Sequence, residues 1–139
     1  MSLLVETNVG TQAKEAKKAA KVVSLLTTEE KNEILKHIAN TLESNVSHIL
    51  EANNKDLDQG REKGYTEAYM DRLALSEDRI ADFANGLREV AELEDPVGDI
   101  LSDWTLENGL QVEKVRVPLG VIGMIYEARP NVTVDATGL

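Results

Sequence analysis

Cysteine is absent from the 139 residues of this chain. That removes disulfides, thiolate metal sites and a cysteine nucleophile from these residues, and it is compatible with a reducing compartment. Basic residues are in short supply: 15 Lys plus Arg face 25 Asp plus Glu, a formal net charge of −10. Phosphate backbones and anionic membrane surfaces are held by cationic faces, so neither nucleic acid nor a membrane is an expected partner. Long apolar runs are missing as well. The longest, Val117 to Tyr126, has ten residues and includes one Pro and two Gly, whereas a membrane-spanning helix needs about 20. Residues Met1-Ser2-Leu3-Leu4-Val5-Glu6 have no basic start and no sustained apolar core, so they do not read as a signal peptide. A soluble, cytoplasmic protein is the expectation. Aromatics make up only 4 % of the chain, but 42 % hydrophobic and 29 % charged residues are ordinary for a globular domain. The length suffices for one compact domain that buries roughly two-thirds of its unfolded surface.

What is present reads first as helices. Ala13 to Leu26 is rich in Ala, Lys and Leu, which are good helix formers. Thr27-Thr28-Glu29-Glu30 has the form of a capping box, and the helix it opens carries Ile34, Leu35, Ile38 and Leu42 as an apolar stripe. Ser44 or Asn45 restarts a helix with Val46, Ile49 and Leu50 inward, running toward Gly60 or Gly64. Thr66 caps a short helix ending at Leu73, and Ser76 caps another with Ile80, Phe83, Ala84, Leu87, Val90 and Ala91 on one face. Pro96 and Gly98 close this helical part.

The pattern then changes. Ile100–Leu106 and Leu110–Val117 flank Asn108-Gly109, which predicts a β-hairpin with a type I′ turn pairing Thr105 with Val112. The apolar phase slips between Val112 and Val115, which predicts a bulge or a ribbon packing on another body. Leu119 to Tyr126 is apolar on both parities, as in a strand buried on both faces of a parallel sheet. Residues 130–139 read as the first turns of a helix. One such strand cannot make a doubly wound sheet, so the expectation is the opening of a larger α/β protein.

Chemistry is expected where that strand ends, because ligands of open α/β sheets bind beyond the carboxyl ends of strands. Tyr126-Glu127-Ala128-Arg129-Pro130-Asn131 offers a carboxylate, a guanidinium and an amide there. Asn131 either aims its amide N–H at an oxyanion or caps the following helix; on spacing alone the cap is the stronger reading. Arg129 either holds an anionic substrate or forms a structural ion pair. Glu127 is either a solvated or paired carboxylate or a group orienting a polar partner. Gly120-Val-Ile-Gly123 lacks the dinucleotide fingerprint spacing and reads as close packing. His37 and His48 have no ligand spacing around them, so no metal site is expected. Trp104 reads as a packing anchor.

The run from Val115 to Ala136, and Tyr126-Glu-Ala-Arg-Pro-Asn131 above all, closely resembles the γ-glutamyl phosphate reductases of the aldehyde dehydrogenase superfamily. Ile49–Leu57, Arg72–Leu75 and Asp95–Gly98 add to the resemblance, which covers essentially the whole chain. Conventional aldehyde dehydrogenases carry Pro-Trp-Asn where this chain has Arg129-Pro130-Asn131. The resemblance implies an aldehyde dehydrogenase-like α/β fold: N-terminal helices over residues 1–97, an oligomerisation ribbon over 98–117, and the first βα unit of a Rossmann-like domain over 118–139. It implies NADPH-dependent reduction of L-glutamate 5-phosphate to L-glutamate 5-semialdehyde and phosphate, a small-molecule reaction of proline biosynthesis in a homo-oligomer. By the same resemblance Asn131 is an oxyanion-hole residue and Ile125, Tyr126 and Glu127 line the NADP pocket, while Arg129 stays the substrate-binding candidate on its own chemistry. The family's nucleophilic cysteine is not among these residues, so the chain alone is expected to be inactive. The alternative is a non-catalytic oligomerisation or interaction module derived from such an enzyme.

Overall fold

Small residues bring two helices close enough to share a core. The computed structural model describes residues 9–139. Its elements are α1 (Val9–Val23), α2 (Thr28–Ser44), α3 (Val46–Glu62), α4 (Glu67–Leu73), α5 (Glu77–Val90), β1 (Ile100–Thr105), β2 (Gln111–Val115) and α6 (Asn131–Gly138). They gather into two compact units, one of Thr28–Leu93 with Met124–Leu139, the other of Glu94–Gly123 with the described residues up to Thr27.

In the first unit α2 packs on α5 through Ala39, Ala84 and Leu87, surrounded by Leu35, Ile38, Leu42 and Val134 of α6. The inward line of α2 therefore runs 35, 38, 39, 42, the i, i+3, i+4, i+7 spacing of one helix face. Ile34, expected on that stripe, lies one step to its side and is 47 % exposed. Gly138 completes the contact with α6, since a Cβ built there would stand 2.5 Å from Leu87 Cδ2. The bidentate pair Arg88–Glu43 (Nη1–Oε1 2.9 Å, Nη2–Oε2 2.6 Å) ties α5 to α2 at the edge of the core.

That pair holds the Glu43 carboxyl below its ordinary pKa, chiefly through the Arg88 hydrogen bond. A depressed carboxyl stabilises the fold above its unfolded pKa and loses that contribution as pH falls through the folded value. Glu43→Gln is therefore expected to narrow its stability gap to the wild type below about pH 4. Denaturant unfolding of both proteins at pH 7 and pH 3 checks this.

The caps expected at Thr66 and Ser76 form. Thr66 accepts from the Tyr69 N–H at 3.3 Å and Ser76 from the Arg79 N–H at 3.2 Å. Asn45 precedes α3 without a side-chain capping bond; its amide instead donates to the Thr41 carbonyl at 2.8 Å, closing α2. Buried Asn53 of α3 reaches across to the turn between α4 and α5, donating to Leu73 O and accepting from Leu75 N, both at 2.9 Å. Truncating it leaves two backbone groups without that partner. Asn53→Ala is expected to cost about 2 kcal/mol in denaturant unfolding.

In the second unit α1 starts earlier than expected and ends at Val23. Tight bonds, Leu25 N–H to Val22 O at 3.0 Å and Leu26 N–H to Val23 O at 3.2 Å, turn the chain there. β1 and β2 form the expected antiparallel ribbon, but the turn and register differ from the sequence expectation. Thr105 pairs with Gln111 and Trp104 with Val112, one residue out of the predicted register. Leu106 and Leu110 close the loop, and the Gly109 N–H bonds Leu106 O at 2.9 Å. Gly109 has φ +84° while Asn108 stays outside the left-handed region, which excludes type I′. The cause is the Asn108 side chain, which accepts from the Leu110 N–H at 3.1 Å and stabilises the longer loop. The predicted bulge is present, between Ile100 and Ser102.

Leu119 to Tyr126 does not form the expected buried strand. Among the described residues nothing pairs with it, and Leu119 is 88 % and Ile125 102 % exposed. An extended segment becomes a strand only through ladder hydrogen bonds to a neighbour.

Candidate functional site

The turn entering α6 carries the residues singled out by sequence. Ala128 has φ +52° and is the only non-glycine in the left-handed region among the described residues. A Cβ makes that conformation costly, by about 1 kcal/mol, so the turn is held by its surroundings. On one side Tyr126 Oη lies 2.5 Å from Thr133 Oγ1, pinning the segment to α6. Tyr69 Oη donates to Glu127 Oε1 at 3.5 Å, and the Tyr69 ring stands 4.4 Å from that of Tyr65. Burial, followed by the negative charge of Glu127, raises the Tyr69 phenol above its ordinary pKa.

Beyond Ala128 the chain turns directly into helix. Pro130 has αR dihedrals, φ −61° and ψ −27°, and gives no side-chain cap. This corrects the capping reading of Asn131. A capping residue is non-helical and accepts from the first turn, whereas Asn131 is already the first helical residue and its Nδ2 donates to Asp135 Oδ2 at 2.9 Å. The bond orients the amide and uses one of its two N–H groups, leaving the other N–H for a ligand.

Arg129 and Asn131 share a cleft of about 330 Å³ with Arg72, Arg79, Phe83 and Asp71. Arg79 shapes its wall: Nη1 donates to Asp71 O at 2.8 Å and Ala74 O at 2.6 Å, and Nη2 lies 3.4 Å from Asp71 Oδ1. Arg79 and Asn53 thus both hold the α4–α5 turn, through Ala74 O and through Leu73 O and Leu75 N respectively. The structure brings Arg129 and Asn131 together, sends Glu127 toward Tyr69, and leaves the Ile125 side chain bare. Sequence reading missed Arg72, Arg79, Asn53 and Tyr69. Asn53 and Arg72 lie in runs that carry the resemblance, but no spacing in the sequence marked any of the four as site residues. Among the described residues no three His, Asp or Glu side chains gather as metal ligands, and no helix is long and apolar enough to cross a membrane.

An amide donor beside exposed guanidinium groups suits an anionic acyl compound: the arginines hold charge and the amide meets a developing oxyanion. Comparison with known proteins agrees with the motif resemblance. The chain is 62 % identical over 135 residues to γ-glutamyl phosphate reductase 2 of Bacillus licheniformis, covering 97 % of this chain and 32 % of that protein. It is 55 % identical to the γ-glutamyl phosphate reductase of Moorella thermoacetica, again over 97 % of this chain and 32 % of the relative. No family model matches. The crystal structure of γ-glutamyl phosphate reductase from Thermotoga maritima superposes with a TM-score of 0.89 at 45 % identity, covering 93 % of this chain and 31 % of that one. The Saccharomyces cerevisiae enzyme gives 0.84 at 36 % identity, over 91 % of this chain and 32 % of its own. The helices and small two-stranded sheet agree with the α/β class of those proteins. The chain spans about a third of the length of the relatives it matches.

Proposed function

We propose that this chain, homologous along nearly all of its length to γ-glutamyl phosphate reductases, forms the N-terminal third of such an enzyme. The whole protein converts L-glutamate 5-phosphate, NADPH and a proton to L-glutamate 5-semialdehyde, inorganic phosphate and NADP⁺, a step of proline biosynthesis in the cytoplasm. The observation that carries this reading is the 62 % identity over 135 residues. NADPH, when bound, supplies the hydride. Two features of this chain suit one wall of its pocket: Ile125 offers a bare apolar side chain, and Glu127 an exposed carboxylate able to accept from a hydroxyl.

The chain's own residues do the rest of their share by position. Asn131 donates its remaining amide N–H to the acyl oxygen as negative charge develops there. Arg129 holds the anionic substrate. The bond between Tyr126 and Thr133 keeps residues 125–127 in place beside α6. Residues 1–97 serve as the helical part of the nucleotide-binding domain and 98–117 as the ribbon joining copies of the protein; in 118–139 the helix start is formed, and Leu119–Tyr126 becomes that domain's first strand once sheet neighbours pair with it. Exposed Trp104, Leu106 and Leu110 give the ribbon its apolar contact surface.

A bacterial strain that requires proline because it lacks this reductase tests the reading in vivo. Expression of the whole protein is expected to restore growth without proline. Soluble expression with no growth contradicts the assignment.

A further inference from the structure

We propose that the cleft between the α4–α5 turn and the start of α6 is a phosphoryl-binding subsite, with Arg72 and Arg129 as its two cations. The inference rests on the reductase reading and deepens it, by naming the end of the substrate that this cleft receives.

The argument starts from charge. Three arginines and one aspartate line the cleft in a chain whose net charge is −10. Arg79 is committed to two backbone carbonyls and to Asp71, so those two shape the wall and largely offset one another. Arg72 donates only its Nε, to Ala68 O at 3.1 Å, which fixes the head and leaves both terminal nitrogens to the cleft. Arg129 forms no ion pair among the described residues. Arg72 and Arg129 line this one cleft from segments far apart in sequence, so an anion seated in it can be met by both cations. A single carboxylate satisfies one guanidinium fork; a phosphoryl dianion offers three oxygens and satisfies both.

Position selects the same group. Asn131 lines the same cleft, and in an acyl phosphate the phosphoryl group is joined through one bridging oxygen to the very carbon whose carbonyl oxygen an amide donor would meet. The α-carboxylate of glutamate lies several bonds further on. At about 330 Å³ the cleft is at the small end of ligand pockets and matches a compact anion with a short acyl chain.

The test uses the whole protein in the reverse direction, where inorganic phosphate is itself a substrate alongside glutamate 5-semialdehyde and NADP⁺. Arg72→Gln and Arg129→Gln are each expected to raise KM for phosphate at least about tenfold while KM for the semialdehyde stays within about twofold. A rise in KM for the semialdehyde with phosphate unchanged makes this a carboxylate subsite and overturns the proposal; so does no change in either. Both side chains are exposed, so neither replacement is expected to unfold the protein. Should the protein show no reductase activity, the function assignment fails separately, and calorimetric titration with inorganic phosphate decides the cleft. Binding by the wild type that is lost in the Arg72→Gln, Arg129→Gln double variant supports it, and equal binding or none by both removes it.

Discussion

Asn131→Ala in the whole protein is expected to lower kcat by about 10²- to 10³-fold, the range found when one oxyanion donor is removed. The structure makes this a clean substitution. Asn131 does not cap α6, so alanine deletes no capping bond, and its recorded partner is Asp135 one turn along the same exposed helix face. Loss of an exposed pair at that spacing costs only about 0.5 kcal/mol. Activity and stability therefore separate: kcat collapses, the unfolding midpoint barely moves, and KM changes little because the donor matters most once charge has developed. Steady-state kinetics beside a denaturant titration read both. A kcat within about threefold of wild type would remove Asn131 from the chemistry.

Leu87→Ala is expected to destabilise the first unit by about 3 kcal/mol, within the range for burying a leucine-to-alanine cavity. Leu87 is 2 % exposed and sits where three helices meet: Ala39 of α2, Ala84 of its own helix, and Val134 of α6. The buried residues beside it, Ala39 and Ala84, are too short to refill the space, so much of the cavity persists. Gly138 packs so closely on Leu87 Cδ2 that truncation also loosens α6, and with it the Arg129–Asn131 wall of the cleft. Ile34→Ala on the solvent side of α2 is the matched control, expected to cost under about 1 kcal/mol. Equal losses at the two positions would contradict the packing described.

What sequence reading delivered, and what it did not, follows the range of the interactions concerned. The caps at Thr66 and Ser76 were legible because each is a bond to an N–H three residues on. The α5 face was legible because its period repeats over several turns, and the ribbon because Asn108-Gly109 punctuates two β-rich runs. Its register was not, because one side-chain bond from Asn108 to the Leu110 N–H chose a longer loop. Leu119 to Tyr126 misled for a related reason: an apolar run states that burial suits it, but a strand also needs a neighbour, and the described residues provide none. At the site, Arg129 and Asn131 could be placed together because they are two residues apart. Arg72 and Arg79 reach the same cleft, and Asn53 holds the turn behind it, only through packing of α3, α4 and α5. No spacing rule links them to Asn131.

The most direct measurement is a spectrophotometric assay of the protein isolated from its own cells, given glutamate 5-semialdehyde, inorganic phosphate and NADP⁺. The account predicts formation of NADPH that depends on all three reactants and falls to background when phosphate is withheld. NADPH formation that proceeds equally without phosphate would mark an ordinary aldehyde dehydrogenase, and no formation at all would mark a non-catalytic protein; either result contradicts the reductase assignment.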